Sequence, residues 1–83
     1  MTKKEAVEIL ERNGFHWRYG LGATSTYALD DLEVTVSDSW VDVDNGNSHV
    51  ENTMQNLDKM EMDKGYLGLW FKGGTIVVLR RIR

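Results

Sequence analysis

Two histidines and a run of carboxylates are the residues of this chain best suited to acid–base or metal chemistry. His16 stands between Phe15 and Trp17, while His49 lies close in sequence to Asp42, Asp44 and Glu51. Asp42, Asp44 and His49 supply oxygen and imidazole donors of the kind that hold a divalent cation. The loop Asp42-Val43-Asp44-Asn45-Gly46-Asn47 departs from the EF-hand pattern, because Gly46 falls one place early and no bidentate glutamate closes it. Solvated turn carboxylates are the expectation there, and no metal. Gly20, Gly22 and Ser25 imitate a glycine-rich phosphate loop, but the pattern places no helix after them to receive a phosphate. Ser25, Ser37, Ser39 and Ser48 lack a flanking nucleophile motif, and Asp30-Asp31 reads as a turn rather than an acid/base couple. The chain is therefore expected to have no catalytic residues and no cofactor.

The acids have a second use, which depends on where they cluster. Residues 30–63 carry ten acidic groups against the single Lys59, a net −9. Residues 1–29 are nearly balanced at +1, and residues 64–83 carry Lys64, Lys72, Arg80, Arg81 and Arg83 without an acid. Such a partition produces either an acidic docking surface beside a basic tail or a tail that folds back and neutralises the middle. With 83 residues only one small domain is expected, spanning 1–83, and its core is correspondingly small. The absence of cysteine removes disulfides, thiol nucleophiles and thiolate zinc sites together. No apolar run approaches the roughly 20 residues of a membrane span, so a cytoplasmic location without membrane contact is expected.

The elements that must position these residues follow from periodicity. Thr2 and Glu5 have capping-box spacing ahead of Ala6, Ile9 and Leu10, and Gly14 follows Asn13, so a helix is predicted over about residues 3–13. From Phe15 the period falls toward two. FHWRY, TYAL and LEVTV read as strands separated by Gly20-Leu21-Gly22 and Asp30-Asp31. Beyond Ser37-Asp38-Ser39 the apolar phase shifts at Trp40, Val41 and Val43, which predicts a bulge or a new strand. Asn45-Gly46 is a turn dipeptide. Ser48 and Glu51 repeat the capping-box spacing, and Val50, Met54, Leu57 and Met60 form a stripe, so a second helix is predicted. Gly73-Gly74 predicts a terminal hairpin. The fold class is thus α+β: a mainly antiparallel sheet, meander plus C-terminal hairpin, with two helices on one face in the order α-β-β-β-(β)-α-β-β.

A two-residue Gly73-Gly74 loop sets Phe71 opposite Ile76, Leu69 opposite Val78 and Leu67 opposite Arg80. Tyr66, Trp70, Lys72, Val77, Leu79, Arg81 and Arg83 then share the other face. Aromatic and basic residues on one sheet face suit base stacking with phosphate contacts, or a protein interface anchored by Trp, Tyr and Arg. The segment KGYLGLWF resembles part of an RNA-recognition signature through Lys64, Gly65, Tyr66, Leu69 and Phe71. Gly68 stands where that signature has a second stacking aromatic, and the strand–helix order differs. The opening, helix–NGF–strand–turn–strand, resembles small toxins of toxin–antitoxin systems with a double-stranded-RNA-binding-like fold. The histidine of those toxins falls at Ala-Thr-Ser-Thr (23–26) in this chain, so the resemblance does not extend to their ribonuclease activity.

Three readings of function follow. The first is a small non-enzymatic protein-binding module acting by occupancy, an accessory or inhibitory factor of a bacterium, phage or mobile element. Its partner is another protein, and its acidic residues Asp30, Asp31, Glu33, Asp38, Asp42 and Asp44, with Trp40, face a basic site. The second is a self-associating protein that forms a homodimer through an unprotected TIVVL strand. Nucleic-acid binding through Tyr66, Trp70, Lys72, Arg80, Arg81 and Arg83 ranks third.

Overall fold

A computed structural model describes residues 1–81. Helix α1 (Lys3–Arg12) is followed by eight strands: β1 (His16–Leu21), β2 (Thr24–Leu29), β3 (Leu32–Val36), β4 (Trp40–Asp44), β5 (His49–Thr53), β6 (Leu57–Asp63), β7 (Tyr66–Phe71) and β8 (Ile76–Arg80). The helix forms where its caps place it. The Thr2 hydroxyl accepts the Glu5 N–H, and the Glu5 carboxylate accepts the Thr2 N–H at 3.1 Å. At the other end the Asn13 side chain donates to the Ile9 carbonyl, and Gly14 at φ +90° turns the chain so that the Phe15 N–H reaches the Leu10 carbonyl.

Strands β1 to β5 form a five-stranded antiparallel meander in chain order. Alternation within it decides which residues make the core. Tyr27, Val34 and Val43 lie in one cross-strand row, with Val36 and Val41 beside them, and all are buried. The phase shift at Trp40 is a new strand rather than a bulge: Ser37 turns the chain, its hydroxyl accepting the Trp40 N–H. A bulge occurs instead in β1, between Trp17 and Tyr19.

The second predicted helix does not form. The residues from Ser48 to Met60 instead supply β5, a short turn and the first half of β6, so the chain has one helix and eight strands among the described residues. Asn45 explains why. Its side-chain oxygen accepts the N–H groups of Asn47 and Ser48, and its own N–H reaches the Ser48 carbonyl. This closes a hairpin that puts His49 opposite Asp44 and Glu51 opposite Asp42. Ser48 is thus committed to a turn instead of a cap, and a segment containing Val50, Asn52 and Thr53 has little helix propensity to resist.

Strands β6, β7 and β8 form a separate three-stranded antiparallel sheet. The terminal hairpin is present, but its register is one residue away from the two-residue-loop expectation. The Phe71 N–H donates to the Thr75 carbonyl, so Lys72, Gly73 and Gly74 all belong to the loop, with both glycines at positive φ. Trp70 then lies opposite Ile76, Gly68 opposite Val78, Leu67 opposite Leu79 and Tyr66 opposite Arg80. A one-residue slip exchanges the faces of every β8 side chain. Leu79 and the half-buried Val77 enter the core, and Ile76, Val78 and Arg80 join Tyr66 and Trp70 outside.

The inner faces of the two sheets and α1 share one core, in which Leu10, Leu32, Val34, Leu57, Leu67 and Leu69 are fully buried. The Met54 N–H bonds the Ser39 carbonyl, extending the β4–β5 ladder, and the Lys72 N–H bonds the Asn56 carbonyl, extending β6–β7; two other contacts join the sheets to each other. The Asn45 amide donates to the Arg80 carbonyl, and Arg81 meets Asp30 at 3.2 Å. No helix among the described residues is long and apolar enough to cross a membrane.

Candidate functional site

Helix and second sheet both lie against one face of the meander, which leaves its other face open. Strand alternation assembles that open face in rows. Tyr19, Thr26, Thr35, Asp42 and Glu51 form one row from β1 to β5, and Ala28, Glu33, Asp44 and His49 form the next. Trp40 stands beside Thr53 in a third. Thr26 and Thr35 share a hydrogen bond of 2.8 Å at the centre.

The two acidic pairs are placed against ordinary sheet preference. Glu33 is directly opposite Asp44, and Asp42 directly opposite Glu51. Like charges so placed destabilise a sheet, each pair by up to about 1 kcal/mol. Two contacts bear on this: Arg18, brought over the face by the β1 bulge, bonds Glu33 at 3.0 Å, and His49 Nε2 lies 2.6 Å from Asp42 and 3.2 Å from Glu51. Burial, with Glu51 and Asp44 close by, still pushes the Asp42 carboxyl above its usual range despite His49. Asp42, His49 and Glu51 bring donor atoms within 4.8 Å of one another, the spacing of a cation site, and the hydrogen bonds inside the group account for that closeness.

Large apolar side chains rim the acids. Tyr19 is 53% exposed, Leu21 82% and Trp40 43%, whereas Trp17, 61% exposed, stands opposite Tyr27 on the other face. Among the sequence-predicted residues, Glu33, Trp40, Asp42 and Asp44 thus meet on one face. Asp38 is exposed in the turn ahead of Trp40. Asp30 and Asp31 form the β2–β3 turn, where Asp30 is engaged by Arg81. Glu51, Tyr19 and Leu21 belong to the face without having been singled out. Glu51 reaches Asp42 because Gly46-Asn47, one residue beyond the Asn45-Gly46 dipeptide, form the two-residue loop: the Asn45 N–H bonds the Ser48 carbonyl, and that register pairs 42 with 51.

The hairpin face is different in character. Trp70 leans over Gly68, so that a Cβ at position 68 would fall 2.8 Å from its ring, and the Lys59 ammonium sits 4.7 Å from the ring centroid. Between Trp70 and Tyr66 runs a groove of about 360 Å³ with Val78 in its wall and Glu61, Asp63 and Lys64 at its rim. Lys72 lies apart in the loop, Arg81 is turned to Asp30, and Arg83 lies outside the described residues. Of the predicted basic residues Arg80 alone remains on this face, beside a rim on which Glu61 and Asp63 are mixed with Lys59 and Lys64.

Comparison with family models, with curated proteins and with solved structures returns no match.

Proposed function

We propose that this chain is a small non-enzymatic protein-binding module acting by occupancy, an accessory or inhibitory factor that presents the open face of its five-stranded sheet to a basic site on a partner protein. The observation that carries this reading is the pairing of Glu33 with Asp44 and of Asp42 with Glu51 on an uncovered sheet. A free monomer gains nothing from opposing like charges, whereas a cationic partner turns each of them into an attraction. Trp40, Tyr19 and Leu21 supply the apolar anchors that an interface needs besides charge. His49 supports binding rather than catalysis, because its imidazole lies half-exposed on an open face instead of in an enclosed cleft. The nucleic-acid reading has less support, since Glu61 and Asp63 share the border of the groove with Lys64, and Arg81 is held by Asp30.

The test is affinity capture from native lysate at several salt concentrations. It uses the wild-type chain, the double variant Asp42→Lys/Glu51→Lys, Trp40→Ala, and Trp70→Ala as a control on the other sheet. A stoichiometric partner retained by wild type and Trp70→Ala, but lost by the first two variants, is the expected result. No such partner at any salt concentration, or a partner indifferent to the charge reversal, overturns the proposal.

A further inference from the structure

Among the described residues the two sheets have four edge strands, and they are not equally protected. Edge strands are ordinarily blunted by bulges, charges or proline, because their free backbone groups invite another chain. β1 carries the bulge at Arg18, and β6 carries one between Leu57 and Lys59. β5 carries the charged or polar side chains of His49, Glu51 and Asn52. β8 has none of these devices before Arg80, and its pairing with β7 is regular over all five of its residues.

The hydrogen bonds at its two ends fix which way its backbone points. Phe71 N–H bonds the Thr75 carbonyl and Arg81 N–H bonds the Gly65 carbonyl, so residues 75, 77, 79 and 81 face β7. The backbone groups of Ile76, Val78 and Arg80 therefore face the open side. The Asn45 amide caps the Arg80 carbonyl at 3.0 Å, which leaves Ile76 and Val78 as the free template. Their side chains are each 57% exposed and continue the apolar surface of Tyr66 and Trp70.

We infer that β8 pairs antiparallel with β8 of a second copy of this chain, with Ile76 opposite the second copy's Val78 and the reverse. Each such pair exchanges both N–H···O bonds, so the pairing uses the free groups that the Asn45 cap leaves. In this register Arg80 lies opposite Gly74 of the other copy, and the two Arg80 side chains stand at opposite ends, so no like charges meet. The interface is isologous and closes as a dimer. It joins the two three-stranded sheets into one of six strands, with the exposed apolar side chains of both copies contiguous across the two-fold axis. Because that axis runs perpendicular to the joined sheet, both five-stranded sheets lie on the same side of it.

Sedimentation velocity of the full chain from low to high micromolar concentration tests this. Wild type is expected at twice the 9.5 kDa chain mass. Val78→Lys and Ile76→Lys each introduce two charges at the joint, and are expected to weaken dimerisation by about a hundredfold. Leu21→Lys, on the β1 edge, is expected to leave it unchanged. Circular dichroism verifies that each variant is folded. Val78→Thr keeps the β-branched shape and the backbone pairing, and is expected to remain dimeric, which separates loss of pairing from loss of fold. A wild-type chain monomeric throughout, or a dimer that survives both lysine substitutions or dissociates with Leu21→Lys alone, overturns the assignment.

Discussion

Asp42 and Glu51 oppose each other on β4 and β5, with the imidazole of His49 in reach of both carboxylates. The native fold thus holds Asp42 where its charge is unwelcome, and its carboxyl binds a proton more readily than the same group in an unfolded chain. For a group raised above its unfolded value of 3.8, the native state holds more protons in the window just above that value. The Asp42 contribution therefore favours folding on the acid side and is lost as pH rises through the window. Asp42→Asn is expected to stabilise the monomer at neutral pH by roughly 0.5–1 kcal/mol, the size of one relieved like-charge pair. Denaturant melts across pH should show that advantage vanish on acidification; a variant less stable at neutral pH would mean that the His49 contact outweighs the repulsion.

Trp40 separates stability from binding. At 43% exposure it contributes only part of its area to the monomer. Trp40→Ala is expected to lower partner affinity by about 2 kcal/mol or more, as at an interface hot spot. Calorimetric titration against the captured partner, alongside a melt of the free variant, measures the two effects separately.

The register of β8 makes neighbouring residues behave oppositely. Leu79→Ala removes a buried side chain and is expected to cost about 2–5 kcal/mol, a large share of the roughly 5–15 kcal/mol available to a domain. Val78→Ala, on the exposed face, should cost well under half as much in dilute solution. Urea denaturation of both variants checks this, and equal losses would restore the alternative register.

Gly68 is the floor on which Trp70 rests. Gly68→Ala forces the ring away from its position, since the added carbon would lie 2.8 Å from it. A loss of about 1–3 kcal/mol, typical of overpacking, is expected together with a shift in the Trp70 indole N–H resonance. An unchanged resonance would show that the ring does not lie there.

What could be read in the sequence divides by range. The first helix is legible because everything that makes it is local: the Thr2–Glu5 box, the apolar stripe and Asn13-Gly14. The same local spacing at Ser48 and Glu51 misleads, because the deciding contact comes from outside it, in the Asn45 side chain that folds Ser48 into a hairpin. Gly73-Gly74 announces a turn but does not say that Lys72 joins the loop, and that one residue assigns every side chain of β8. Glu33, Trp40, Asp42 and Asp44 are recognisable as candidates from type alone. Their meeting on one face with Glu51 depends on pairing across three strands, which no short window of sequence contains.

Asn45 holds the Asn47 and Ser48 amides with its oxygen and the Arg80 carbonyl with its nitrogen, and it is followed by Gly46. An asparagine before glycine is the sequence most prone to deamidation, in which the following backbone nitrogen attacks the side-chain carbonyl. Conversion to aspartate would set a carboxylate oxygen against the Arg80 carbonyl and turn the clip between the sheets into a repulsion, costing about 1–3 kcal/mol. The clip between the two sheets thus hangs on one amide, and its chemical conversion would loosen them from each other.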